Sequence, residues 1–268
     1  MGIKSLVAVV LAAVNMAAQA QGLVLGVTEG VTYRATDPEI ASRFEGIAAE
    51  LAKATRQTVT VKVISGYNDM RAALKAQSVD IAYIHPAHVA LEAVKAQRYR
   101  TVAWTNGFTE YKVSFLCRDE PPIADWKTLA GRKIVTPDPD SITAVMTRAL
   151  LREKSSTPGA LLNTRYQDAV PFYVENKFAD FGATAARGVI KTWRDKGGKV
   201  CAESRAVPIK QWLVSTRLEG ASANAVRDAL LTLGQNDAGK KALQASTYTG
   251  LVPANAETET ALIGWLGL

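Results

Sequence analysis

What most narrows the fold of this chain is a rhythm. Short β-branched or apolar runs alternate with stretches of helical period, in two separate series. The first series opens with Leu23-Val24-Leu25-Gly26-Val27, which reads as a buried strand. A helix over 38–54 follows, with Ile40, Phe44, Ile47, Ala48 and Leu51 on one face; Asp37 is placed to cap it and Pro38 to start it. Strand 58–63, helix 68–76, strand 80–84 and helix 86–96 complete the series. Runs 101–104 and 111–117 then read as strands with no helix between them. After a turn over 126–131 the second series gives strand 133–135, helices 141–152 and 169–176, strand 179–183 and helix 184–195. Strands 200–202 and 209–215 precede a helical tail. The pattern predicts an α/β protein of two lobes, each a mostly parallel sheet flanked by helices. Extended segments near Lys112 and Pro208 are the expected hinge strands, with 21–111 and 209–268 as lobe one and 112–208 as lobe two. A cleft hinged in this way suits closure around a small ligand.

Residues 1–20 set the expected compartment. A basic start, Met1-Gly2-Ile3-Lys4, leads into an apolar stretch over 5–18 broken only by Asn15, and then into Ala18-Gln19-Ala20. This is the layout of a secretory signal peptide, too short in its apolar core to span a bilayer. Cleavage after Ala20 and a periplasmic mature chain are expected, and no cysteine stands there to take a lipid. The sequence carries 32 basic and 25 acidic residues. That balance favours an anionic partner, and serves equally well as a soluble surface. The basic residues are scattered, without runs or interleaved aromatics, which points to a small anion rather than nucleic acid. Cys117 and Cys201 form an even pair in an oxidising compartment. They read as a disulfide, as two buried thiols, or as a source of one ligand for a soft metalloid.

Four segments carry a family resemblance over about 23–233. Gly26-Val27 closes a strand that leads into the Pro38 helix. Gly66-Tyr67-Asn68-Asp69-Met70 precedes Ser78-Val79-Asp80-Ile81-Ala82-Tyr83, which looks like a G-x-V-D-(V/I)-A-(F/Y) strand. Asp125-Trp126-Lys127-Thr128-Leu129-Ala130-Gly131-Arg132-Lys133 looks like an S-L-x-D-L-K-G-K lead-in to a second lobe. Asp138-Pro139-Asp140-Ser141-Ile142-Thr143 stands where an anion-binding S-T-S-G turn is found. The chain thus resembles the phosphate/phosphite/phosphonate-binding family of ABC-transporter periplasmic substrate-binding proteins, of the type II periplasmic-binding-protein fold. The resemblance implies a monomer that captures a small anion, uses no cofactor, and hands the ligand to a permease.

Candidate ligand contacts follow by position. Ser141 and Thr143 begin a helix whose free N–H groups and positive dipole end suit a tetrahedral oxyanion. Simple capping by Asp140 or Ser141 explains the same residues, and Asp138 and Asp140 would repel an anion close by. Thr28, Glu29, Tyr33, Tyr67, Asn68, Tyr83 and His85 follow or end strands of the first series, at the edge where open α/β sheets bind ligands. In lobe two, Gln167 and Thr184 stand where the family places a histidine and an acid. These departures argue against an aminoalkylphosphonate. His85 and His88 are the chain's two histidines, spaced to share a helix face; they read as a cleft element or cap, with a metal or metalloid site as the alternative. A membrane sensor in place of the permease is the other functional reading. No nucleophile elbow, Walker loop, metalloprotease helix or dinucleotide fingerprint supports an enzyme.

Overall fold

The computed structural model describes residues 22–30, 35–218 and 220–268. The first series comprises β1 (Leu23–Thr28), α1 (Asp37–Thr55), β2 (Val59–Val63), α2 (Tyr67–Ala76), β3 (Ile81–Ile84), α3 (Ala87–Lys95) and β4 (Tyr99–Thr105). The second comprises β5 (Ser114–Cys117), β6 (Lys133–Thr136), α4 (Ile142–Glu153), β7 (Ala160–Asn163), α5 (Val170–Glu175), β8 (Phe181–Thr184), α6 (Arg187–Asp195) and β9 (Lys199–Glu203). The chain then returns through β10 (Gln211–Ser215), α7 (Gly220–Thr232), α8 (Asp237–Ala245), β11 (Leu251–Pro253) and α9 (Ala256–Leu266). The proposed signal segment and Tyr33 lie outside the described residues.

Two sheets result, ordered β11-β4-β10-β3-β1-β2 and β7-β6-β8-β5-β9. Both are mixed. β1 pairs in parallel with β2 and β3, and β6 with β7 and β8. Two reversals come from the strands that follow the crossings: β10 is antiparallel to β3 and β4, and β5 to β8 and β9; the short β11 is antiparallel to β4 as well. A strand that enters its sheet from the edge facing the other sheet must run against the βαβ strands, which end there.

Each sheet is covered on both faces. In the first, Leu25, Val27, Tyr83 and Trp212 pack with α1, α7 and α8, and Ala82, Ile84 and Leu213 with α2 and α3. In the second, Phe115, Ile134 and Ala183 pack with α4, and Leu116 and Val135 with α5 and α6. The C-terminal helix reaches across: Leu262 and Leu266 of α9 join the same cluster as Phe115 and Met146, and so do Ala87 and Leu91 of α3. Cys117 and Cys201 form a disulfide between neighbouring strands β5 and β9, with Cα atoms 6.0 Å apart.

The two crossings are bonded to each other. Tyr111 and Val207 exchange both backbone hydrogen bonds, at 3.1 and 3.0 Å, and Ile209 N donates to Phe108 O at 3.1 Å. The two linkers therefore form one short antiparallel ribbon between the sheets.

Several local expectations shift. Thr36, not Asp37, caps α1, because Glu39 reaches back to accept from Thr36 N at 2.8 Å; this frees Asp37 to bond the Ser65 hydroxyl. Helix α6 starts at Arg187 rather than at Thr184, which ends β8. Strands β7 and β11 carry no strand signal in the sequence. The first is a short, alternately exposed strand at a sheet end without β-branched residues, and the second is three residues ending in proline.

Candidate functional site

The site begins where β1 and β3 end side by side. Thr28 pairs with Ile84, and His85 N donates to Thr28 O at 3.0 Å, so both following loops leave the sheet at the same edge. Gly30 has φ +90°, and a Cβ there would lie 3.1 Å from the Tyr67 hydroxyl and 3.3 Å from His85 Nδ1. Glycine thus lets the loop close onto both side chains. His85 Nδ1 is 2.8 Å from the Glu29 carbonyl oxygen, which can only accept, so Nδ1 carries the proton. Burial, helped by the charge of Lys210, lowers the His85 pKa to about 4, leaving the ring neutral at pH 7. Thr28 is wholly buried, and its hydroxyl has no partner among the described residues. His88 is buried edge-on to Tyr67; its Nε2–H donates to Asp140 at 3.1 Å, and its Nδ1 meets no partner among the described residues. Asn68 is exposed and accepts a long bond, 3.4 Å, from Arg71.

The second sheet supplies the facing half. Ser141 caps α4 by accepting from Ala144 N at 3.2 Å, which leaves its own hydroxyl hydrogen to give. Capping falls to Ser141, and Asp140 is used elsewhere. The Thr143 hydroxyl is buried 2.8 Å from the Tyr111 hydroxyl. Gln167 Oε1 accepts from the Thr184 hydroxyl at 2.9 Å and from Ala185 N at 2.8 Å, while its Nε2 donates weakly to Tyr111 at 3.5 Å. The hinge tyrosine thereby ties the start of α4 to the ends of β7 and β8, and burial raises its pKa. Alongside opens a cavity of about 690 Å³, walled by Phe108 and Tyr111 of the hinge and by Tyr166, Arg187, Val189 and Ile190.

Asp140 joins the halves. Arg71 of α2 donates to both of its carboxylate oxygens, at 2.6 and 2.9 Å, and to both oxygens of Glu92 on α3, at 2.7 and 3.1 Å. Burial alone would raise the Asp140 pKa. The hydrogen bonds from His88 and Arg71 outweigh it and hold the carboxyl well below the usual range. The same two carboxylates raise the Arg71 pKa.

Tyr83 is not brought to this group. Strand alternation turns it into the core among Phe44, Trp212 and Tyr248, where its hydroxyl bonds that of Tyr248. Tyr248 in turn donates to Glu29 at 2.7 Å, and Lys210 reaches the other Glu29 oxygen at 3.3 Å while lying 4.1 Å from the Phe108 ring centre. Burial lowers the Lys210 pKa. Sequence reasoning did not single out Arg71, Tyr111, Lys210 or Tyr248. Lys210 had a signal, as a lone charge within the apolar run Ile209–Val214; the others had none. Among the described residues no group of three or more His, Cys, Asp or Glu side chains gathers to hold a metal ion. Nor is any described helix long and apolar enough to cross a membrane.

Two α/β units on a hydrogen-bonded double hinge, with polar groups lining the gap, define a bilobed solute-binding protein of the type II periplasmic-binding fold. More particularly, the chain belongs to the family described as ABC transporter, phosphonate, periplasmic substrate-binding protein, which matches residues 30–258. Solved structures agree on the fold. XAC2383 from Xanthomonas citri bound to ATP aligns with TM-score 0.75 at 15% identity, covering 92% of this chain and 98% of that one. PhnD1 from Prochlorococcus marinus in complex with methylphosphonate aligns with TM-score 0.66 at 15% identity, covering 90% and 96%. A binding protein component of an ABC phosphonate transporter from Pseudomonas aeruginosa gives 0.59 at 16%, covering 92% and 95%. No curated protein matches the sequence significantly.

Proposed function

We propose that the mature chain, cut after Ala20, works as a monomer that closes around a phosphorus oxyanion such as phosphonate, phosphite or phosphate, passes it to an ABC permease, and performs no chemistry on it. The lobes we propose are 21–111 with 209–268, and 112–208. The observation that carries the reading is the pair of buried atoms at the cleft edge, Thr28 Oγ1 and His88 Nδ1, that lack partners among the described residues. An unpaired buried polar group costs about 1–3 kcal/mol, and a bound ligand would relieve that cost. His88 also contacts Asp140, two residues before α4, so its ring stands beside the helix start with its N–H groups and the Ser141 and Thr143 hydroxyls. In this reading Thr28 and Tyr67 offer hydroxyls to the anion from one side, and Ser141 and Thr143 from the other; His88 Nδ1, a lone pair, accepts from the hydroxyl of the monoprotonated oxyanion, and the neutral His85 ring walls that side. Gln167 and Thr184, bonded to each other, shape the floor, and Glu29 holds Lys210 away from solvent. The family membership and the methylphosphonate complex of the Prochlorococcus protein support the ligand class.

Titration calorimetry of Thr28→Val and Thr143→Val with methylphosphonate and phosphite tests the assignment. Each loss of a buried donor is expected to weaken binding by about tenfold to a hundredfold, with melting temperatures near wild type. Wild-type affinity in both variants would remove these residues from the site.

A further inference from the structure

The cavity beside the helix start is much larger than an oxyanion needs. It measures about 690 Å³. At about 30 Å³ per liquid water it holds the equivalent of roughly twenty waters, whereas methylphosphonate, at about 100 Å³, displaces about three. Its walls suit an organic body. Phe108, Tyr111 and Tyr166 present rings, Val189 and Ile190 present branched carbon, and Arg187, Lys112, Glu110 and Glu203 contribute charge of both signs. Gln167 lines this space, and its Oε1 already accepts two hydrogen bonds from the protein.

Tyr111 fixes the relation between this space and the anion turn. The same side chain lines the cavity and stands 2.8 Å from the Thr143 hydroxyl in the first turn of α4. Tyr111 therefore stands between the start of α4 and the cavity, and a substituent on an oxyanion seated at that start reaches the cavity by passing the Tyr111 ring.

We infer that the ligand is a phosphonate or phosphate monoester with a large aromatic or branched substituent, of about ten or more heavy atoms, selected by Phe108, Tyr166, Val189 and Ile190. The inference rests on the oxyanion reading above and names its substrate class. Ring and branched-chain surfaces of this kind contribute through buried apolar area and stacking rather than through charge.

The test is titration calorimetry of the refolded mature protein with methylphosphonate, phenylphosphonate, a naphthyl-substituted phosphonate and adenosine monophosphate. The expected result is a dissociation constant at least about tenfold lower for one of the larger probes than for methylphosphonate, a gain equal to one or two well-buried groups. In Tyr166→Ala, and separately in Ala186→Trp, which places an indole in the cavity, that ratio is expected to fall to about threefold or less; circular dichroism checks that both variants fold. Equal or tighter binding of methylphosphonate overturns the large-body inference and leaves the oxyanion reading standing. So does a large-probe preference that both variants retain. Failure of every phosphorus compound to bind overturns the oxyanion reading, and this inference with it.

Discussion

Replacing Asp140 by asparagine should open the molecule. Asp140 precedes α4, whereas Arg71, His88 and Glu92 belong to the helices over the first sheet, so its three hydrogen bonds are made only when the lobes meet. The Asp140 side chain is 39% exposed and that of Arg71 27%, so solvent screens the pair, and the value for a deep bidentate bridge does not apply. With the screened bonds together contributing about 2 kcal/mol to closure, the closed-to-open ratio falls about thirtyfold. A population closed about nine times in ten would then be closed about one time in four. Small-angle scattering of the ligand-free protein reads this directly as a larger radius of gyration. Arg71→Gln, which leaves the His88 bond in place, should give a smaller change in the same direction, and the double variant no more than Asp140→Asn alone, since Arg71 reaches across only through Asp140. Glu92→Gln breaks only a contact within the first lobe and should leave the scattering near wild type. Scattering unchanged in both Asp140→Asn and Arg71→Gln would refute the reasoning, as would two fully additive effects. Near 1 M salt, wild type should move toward the variants, because the Debye length there is about 3 Å.

Two further outcomes follow from the same geometry. His85 has its folded pKa lowered from 6.5 to about 4, so its contribution to stability is complete above pH 6.5 and is lost as pH falls toward 4. The loss is about 2 kcal/mol at pH 5 and about 3 kcal/mol by pH 4. Asp140, also lowered, adds its loss only below its ordinary value of 3.8. Urea unfolding at pH 7.5, 5 and 4 checks this, and equal stability at pH 7.5 and 5 would contradict the buried neutral imidazole. The Cys117–Cys201 disulfide spans 84 residues of sequence. In the chain-entropy treatment its loss costs about 4 to 5 kcal/mol, so the double Cys→Ser variant should melt roughly 10 °C or more below wild type. A drop of only a degree or two would show that the link does little.

Much of the architecture is legible in the sequence. The apolar face from Ile40 to Leu51 and the buried runs at Leu23–Thr28 and Ile81–Ile84 each follow one period, and each became the element that period implies. Local signals were weaker where tertiary pairing decides: nothing in Ala160-Leu161-Leu162-Asn163 demands a strand until β6 lies beside it. The mixed character of both sheets was likewise hidden, because strand direction depends on where the two crossings enter. The site was legible only as positions. Strand ends placed Thr28 and His85 at one edge, and a capping pattern placed Ser141 at a helix start. Asp140 carried the opposite message, a charge hostile to an anion. Its bond to Arg71 spans 69 residues, so no spacing rule could pair them. Tyr83 looked like a cleft residue because it ends a strand, yet the two-residue alternation faces it inward.

The central claim, that this is a binding protein for phosphorus oxyanions, is tested most directly by thermal shift. The mature protein, unfolded and refolded to strip bound solute, would be melted with phosphate, phosphite, methylphosphonate, larger phosphonates and phosphate esters, sulfate, arsenate and divalent metals. A ligand at a hundred times its dissociation constant stabilises by about 2.7 kcal/mol, which for a chain of this size raises the melting temperature by about 5 to 10 °C. The account predicts such a shift with at least one phosphorus oxyanion and none with metals alone. A flat response to every phosphorus compound, or a shift with metal only, would contradict it.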